Sequence, residues 1–134
     1  MYIAKEVMEK FINWTKLKVR IHVSERPDYP RERQIWWVSL GQNICVEING
    51  KNDKFERPVL VLKKYNDDAC LVLPLSSKNK VGSFYFQFKN SNREISVVNL
   101  SQARSISSKR FIRKIEKMSV IDFDKIKIAF KQVV

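Results

Sequence analysis

The chain has 134 residues, 44% of them hydrophobic and 30% charged, which suits one globular domain with a single respectable core and excludes a disordered or low-complexity protein. Twenty-six Lys and Arg stand against 14 Asp and Glu, a formal charge of +12, so the favoured partner is a polyanion, nucleic acid first; the bland alternative is a solvated basic surface. Two cysteines imply no disulfide framework, and charges recur too often through residues 1–10 for a signal peptide, while no later stretch reaches membrane-spanning length, so a cytoplasmic protein without membrane contact is predicted.

From Ala4 to about Leu17, the residues Ala4, Val7, Met8, Phe11, Trp14 and Leu17 recur at spacings of three and four, which predicts an amphipathic helix. His22 to Arg33 carries two prolines without periodicity and reads as a connector. Five runs rich in β-branched and aromatic residues follow: Ile35 to Leu40, Val59 to Lys63, Ala69 to Leu73, Ser83 to Phe88 and Ile95 to Leu100. Such spacing predicts an antiparallel barrel or strongly coiled sheet. Alternation puts Phe84, Phe86 and Phe88 on one strand face, read as core, with Tyr85 and Gln87 on the other. Trp36 and Trp37 point to opposite faces, one to the core and the other to a dimer or RNA surface. At the end, Asp122 is placed to cap a helix whose stripe is Phe123, Ile126, Ala129, Phe130 and Val133; that stripe closes the barrel or meets a partner subunit.

His22 is the only histidine, Cys45 and Cys70 lie far apart, and Gly41, Gly50 and Gly82 are isolated, so neither a metal centre, nor a phosphate loop, nor a cofactor is expected. What remains is chemistry by Arg, Lys, Glu and hydroxyl groups. These suffice for one reaction in particular, attack of a ribose 2′-OH on its own adjacent phosphate, where the catalyst aligns the nucleophile, moves protons and neutralises the phosphorane oxygens. The forked donors of an arginine match two such oxygens at once.

Arg33-Gln-Ile-Trp-Trp-Val-Ser-Leu-Gly41, Glu47, Arg57-Pro-Val-Leu-Val-Leu62, Leu73-Pro-Leu-Ser-Ser77 and the run from Ser96 to Ile115 resemble, in matching order over residues 31 to 132, the MazF/PemK family of toxins of type II toxin–antitoxin systems. The resemblance implies a β-rich α+β fold: an SH3-like small antiparallel barrel with a C-terminal helix, here residues 31–134, preceded by an added N-terminal helix and connector, residues 1–30. It implies a homodimeric, metal-independent endoribonuclease that cuts single-stranded RNA and is held by a cognate antitoxin with an acidic C-terminal tail. Family catalytic positions fall on Arg57 and Ser76, with Glu47 as the remaining candidate base. Serine stands where threonine is usual; it keeps the hydroxyl and lacks the methyl that restricts the rotamer. Gln102, Arg104, Trp37, Lys78 and Lys109 are the candidate RNA-binding residues.

Each has a bland reading. Arg57 could merely pair with Glu56 or Asp53, Ser76 could be a turn residue, and Glu47 could be a solvated loop carboxylate. A CcdB-type toxin that inhibits gyrase by binding, or an RNA-binding module without turnover, also fits the fold and charge.

Overall fold

The computed structural model describes residues 1–25 and 29–134. The middle of the expected connector, residues 26–28, lies outside them. Helix α1 (Lys5–Val23) runs six residues beyond the expected Leu17. Its end is satisfied from several sides: Ser24 Oγ donates to the Ile21 carbonyl at 2.7 Å and Lys109 Nζ to the His22 carbonyl at 2.8 Å, while Arg20 and His22 in the last turn complement the helix dipole.

Seven strands follow: β1 (Gln34–Ser39), β2 (Glu56–Lys64), β3 (Ala69–Ser76), β4 (Tyr85–Lys89), β5 (Ile95–Asn99), β6 (Arg104–Ser107) and β7 (Phe111–Lys117), then helix α2 (Val120–Val133). All pairings are antiparallel, in the order β4-β5-β3-β2-β1-β7, with β6 beside β3. Strand β3 serves two neighbours. Ala69 to Val72 pair with β6, whereas Leu75 and Ser76 pair with β5. The changeover falls at Leu73 and Pro74, and Pro74 has no N–H to give to a ladder.

Because β1, β2 and β3 are covered on both faces, their apolar residues feed two cores alternately. Leu60, Leu62, Leu73 and Leu75 join Ile35, Phe88, Val98, Leu100 and Met118 in one; Val59, Val61, Cys70 and Val72 join Trp36, Val38, Ile106 and Phe111 in the other. The α2 stripe belongs to the first core: Phe123 and Ile126 are buried in it, with Ala129, Phe130 and Val133 packed alongside. Of the two roles open to that stripe, it takes the intramolecular one.

Four expectations are corrected. The barrel does not close, since β4 and β7 end the sheet without pairing. Of the three phenylalanines read as one core face, Phe84 precedes β4 and is half exposed, leaving Phe86 and Phe88 to pack inward. Ser119, not Asp122, caps α2, its Oγ accepting from the Asp122 N–H at 3.1 Å. Strands β6 and β7 were not legible as strands: β6 is four residues long, and β7 is Phe-Ile-Arg-Lys-Ile-Glu-Lys, a charged edge strand without the alternation of a half-buried one.

Candidate active site

The gap where the sheet fails to close is a cavity of about 450 Å³. It is lined by Ile35 and Trp37 of β1, Arg57 and Pro58 of β2, Leu75 and Ser76 of β3, Phe88 of β4, Asn90, Asn92 and Ser96 of the β4–β5 hairpin, and Ile115 and Glu116 of β7. Ser91 of the hairpin is tied to Glu116 of β7, its Oγ donating to Glu116 Oε2 at 2.9 Å and its N–H to the same oxygen at 3.3 Å.

Arg57 enters the cavity from the start of β2, where Phe55 (φ 49°) reverses the chain and β1 pairs in register Val38 with Arg57. Its Nε donates to the Asn49 carbonyl at 2.7 Å and its Nη1 to the Leu75 carbonyl at 3.1 Å. Among the described residues no carboxylate pairs with it, so its ordinary reading as an ion-pair partner of Glu56 or Asp53 is excluded. Burial without a compensating anion lowers its pKa below the usual arginine value. Such a cation, short of counter-charge and still presenting N–H groups, suits an incoming anion. Ser76 ends β3 one residue after Leu75, and its Oγ accepts from the Lys78 N–H at 3.1 Å, leaving the hydroxyl proton free to donate. The functional and turn readings of Ser76 are compatible. Lys78 itself is exposed just beyond.

Glu56, the neighbour of Arg57, is committed elsewhere. Its carboxylate, 8% exposed, takes both guanidinium nitrogens of Arg113 at 3.2 and 3.3 Å. Arg113 in turn lies over Trp37 at 5.0 Å from the ring centre. Trp36 is the core tryptophan, edge-on to Phe111, so Trp37 is the one that faces the cavity.

Glu47, Gln102 and Arg104 come together in a second cavity, about 410 Å³, which shares no lining residue with the first. The loop between β1 and β2 stands between the two. On one side Asn49 accepts from Arg57; on the other, Gln102 Oε1 accepts from the Ile48 N–H at 3.0 Å and Gln102 Nε2 donates to the Val46 carbonyl at 2.9 Å. Glu47 caps its own turn, Oε1 accepting from the Ile44 N–H at 3.0 Å. Arg104 and Arg110 converge on the Leu40 carbonyl at the base of this loop, and burial followed by the charge of Arg104 brings Arg110 down to about 10. Lys109 is directed to the end of α1 and away from both cavities' lining.

Of the residues singled out in the sequence, Arg57, Ser76 and Trp37 line one pocket; Asn90, Asn92, Ser96 and Glu116, which line it as well, were not anticipated. No local signal marks these, because they are polar residues of a hairpin and an edge strand that only closure of the sheet brings near Arg57. Among the described residues no three His, Cys, Asp or Glu side chains gather, and no helix is long and apolar enough to cross a membrane.

The fold is thus an open antiparallel sheet with Arg57 in a pocket at its seam. The family of PemK-like, MazF-like toxins of type II toxin–antitoxin systems matches residues 31–134, and the chain belongs to that family. Its fold is shared with MazF from Deinococcus radiodurans, at a TM-score of 0.66 and 19% identity over 79% of this chain and 96% of that one. An endoribonuclease in complex with its cognate antitoxin from a mycobacterial species follows at 0.61 and 12%, over 77% and 92%. The Mycobacterium tuberculosis toxin MazF-mt6 scores 0.58 at 17%, over 75% and 94%. No curated protein matches the chain.

Proposed function

We propose that this chain is the toxin of a type II toxin–antitoxin pair and a metal-independent endoribonuclease acting on single-stranded RNA. The observation that carries the reading is Arg57: a half-buried guanidinium with no carboxylate partner among the described residues, one strand away from the Ser76 hydroxyl on the same cavity wall. In the proposed reaction the ribose 2′-OH loses its proton to a base and attacks the adjacent phosphorus. Arg57 and Ser76 donate to the non-bridging oxygens of the phosphorane, and the 5′-oxygen leaves as a hydroxyl after protonation, giving a 2′,3′-cyclic phosphate. Trp37 offers a face on which a base can stack, and Lys78 lies beyond Ser76 along the strand exit. Glu47 is the base proposed from the sequence; its capped position behind the loop requires the 44–47 turn to open first. Gln102 and Arg104 would then line a continuous groove with Arg57.

The active unit is proposed to be a cytoplasmic homodimer, and its antitoxin to carry an acidic tail that competes with RNA for the basic groove. The net charge of +12 and the mycobacterial relative held by its cognate antitoxin support that partner.

Cleavage is expected to persist in excess EDTA and to leave a cyclic phosphate or 3′-phosphate with a 5′-hydroxyl. A single 2′-deoxy substitution upstream of the scissile phosphate should abolish cutting and spare binding. Cutting of the substituted strand, or 5′-phosphate ends, would make water the nucleophile and remove the reading. If clean protein cuts no RNA and inhibits purified gyrase, the binding-toxin reading replaces it.

A further inference from the structure

Helix α1 lies outside residues 31–134, the part matched to the toxin family, and it carries two apolar faces. One is spent on the body: Trp14 is buried, with Phe11, Leu17 and Ile21 partly covered beside it. The other is not. Met8, Ile12, Val19 and Val23 fall on one side at spacings of four, seven and four, with Thr15 completing the stripe, and they are 45%, 45%, 59% and 73% exposed. Large apolar side chains left in water along four turns of a charged helix mark an interaction surface.

The shape and charge of the stripe select its occupant. Met8, Ile12, Thr15 and Val19 follow a four-three-four spacing, the narrow seam of helix-on-helix packing rather than the broad face an interfacial membrane helix lays into lipid. Its borders are basic. Lys5 and Lys16 flank one edge and Lys18 the other, with Arg20 behind, and among the described residues the only ion pair of the helix is Lys5 to Glu9 at 3.8 Å. A second copy of this chain would bring the same cations into one seam against Glu6 and Glu9 alone, whereas an acidic amphipathic helix would meet both the apolar stripe and its charged edges. We infer that the outward face of α1 docks an acidic amphipathic helical segment of a partner protein, at a site separate from the Arg57 cavity.

The site can be read with a fluorescein-labelled synthetic peptide of three heptads, leucine at a and d and glutamate at e and g, titrated into the full-length protein and followed by anisotropy. The wild-type chain is expected to bind it at least about tenfold more tightly than a scrambled peptide of identical composition, since plain attraction to a basic protein does not distinguish the two. Ile12→Asp with Val19→Asp should weaken binding by about tenfold or more, and Lys16→Glu with Lys18→Glu should act in the same direction, with RNA cleavage unchanged in both variants. These residues are exposed, so the fold should survive, as circular dichroism will check. Equal binding of the scrambled peptide, or peptide binding insensitive to both pairs of substitutions, overturns the inference. So does concentration-dependent self-association that the Ile12/Val19 variant abolishes, which would make a second copy the occupant. Binding to phosphatidylglycerol vesicles without binding to the peptide would make it a membrane. Loss of RNA cleavage in wild type, by contrast, removes the nuclease reading and leaves this readout standing.

Discussion

The guanidinium of Arg57 donates to the carbonyl of Leu75 at 3.1 Å, and so ties the start of β2 to the residue that precedes Ser76 on β3. One hydrogen bond thereby sets the spacing of the two groups proposed to hold the phosphate, and Arg57 has a structural as well as a chemical task.

Both tasks should show on substitution. Arg57→Ala strands the Asn49 and Leu75 carbonyls, a loss of about 1–3 kcal/mol that lowers the melting point without unfolding the chain. Cleavage should fall further, by about 10²–10³ or more, because the donors act on charge that develops in the transition state. Arg57→Lys keeps the charge and loses the fork, so most of that activity loss should persist. Ser76→Ala removes only an acceptor for an exposed turn N–H, and its melt should stay within about 0.5 kcal/mol of wild type while cleavage drops. Full activity in Arg57→Ala would move the site elsewhere.

The Glu56–Arg113 pair predicts a rescue. Arg113→Met leaves a carboxylate that is 8% exposed with only the Asn52 side chain, at 3.3 Å, as an alternative donor. Arg113 is itself half exposed, so solvent screens the pair and the loss should be about 1–2 kcal/mol rather than that of a fully buried ion pair. Adding Glu56→Gln should restore most of it in urea melts. Trp37 fluorescence should change in both variants, because the guanidinium leaves its ring. Additive losses would mean the pair contributes no coupling.

Gly41 and Trp14 are expected to couple strongly. Gly41 has φ 102°, and a Cβ there would stand 2.5 Å from the indole of Trp14, which also meets Phe55 at 5.6 Å. Gly41→Ala should therefore destabilise by about 1–3 kcal/mol from backbone strain alone, with the steric conflict added. In a Trp14→Ala background the conflict disappears and only the strain remains, so a double-mutant cycle should return a positive coupling. A cycle that closes to zero would show that α1 does not rest on the loop as described.

The cysteines should separate by accessibility. Cys45 is exposed and Cys70 fully buried, so native protein should take one alkyl group from iodoacetamide and a second only on denaturation. Burial raises the Cys70 thiol above its ordinary 9.0, opposed by the charge of Lys64. The folded chain thus holds this proton at a pH where the unfolded chain has lost it. The corresponding stability is fully present below pH 9.0 and is lost as pH rises toward the folded value, and Cys70→Ala should flatten that part of the pH–stability curve.

The sequence by itself determined the elements whose signal is local. The stripe of α2, the continuous apolar runs of β2 and β3, and the first turns of α1 are written in the spacing of large side chains, and each appears where that spacing puts it. The family motif also placed Arg57 and Ser76 before any cavity was visible, since Arg-Pro at the start of one strand and Ser at the end of the next are fixed relative to each other by a single antiparallel pairing. Only the tertiary structure decided the rest. Whether the sheet closes depends on how far β4 and β7 are carried apart by the bulges of β1 and the divided pairing of β3, which no window of residues encodes. The same holds for Glu47, only ten residues before Arg57 in the chain yet in another cavity, because the hydrogen bonds of Ile48 and Asn49 point to opposite sides of the loop. Lys109 looked like a groove cation and instead caps α1, a contact between residues 87 positions apart. Charge could be counted from composition; where each charge is spent required the fold.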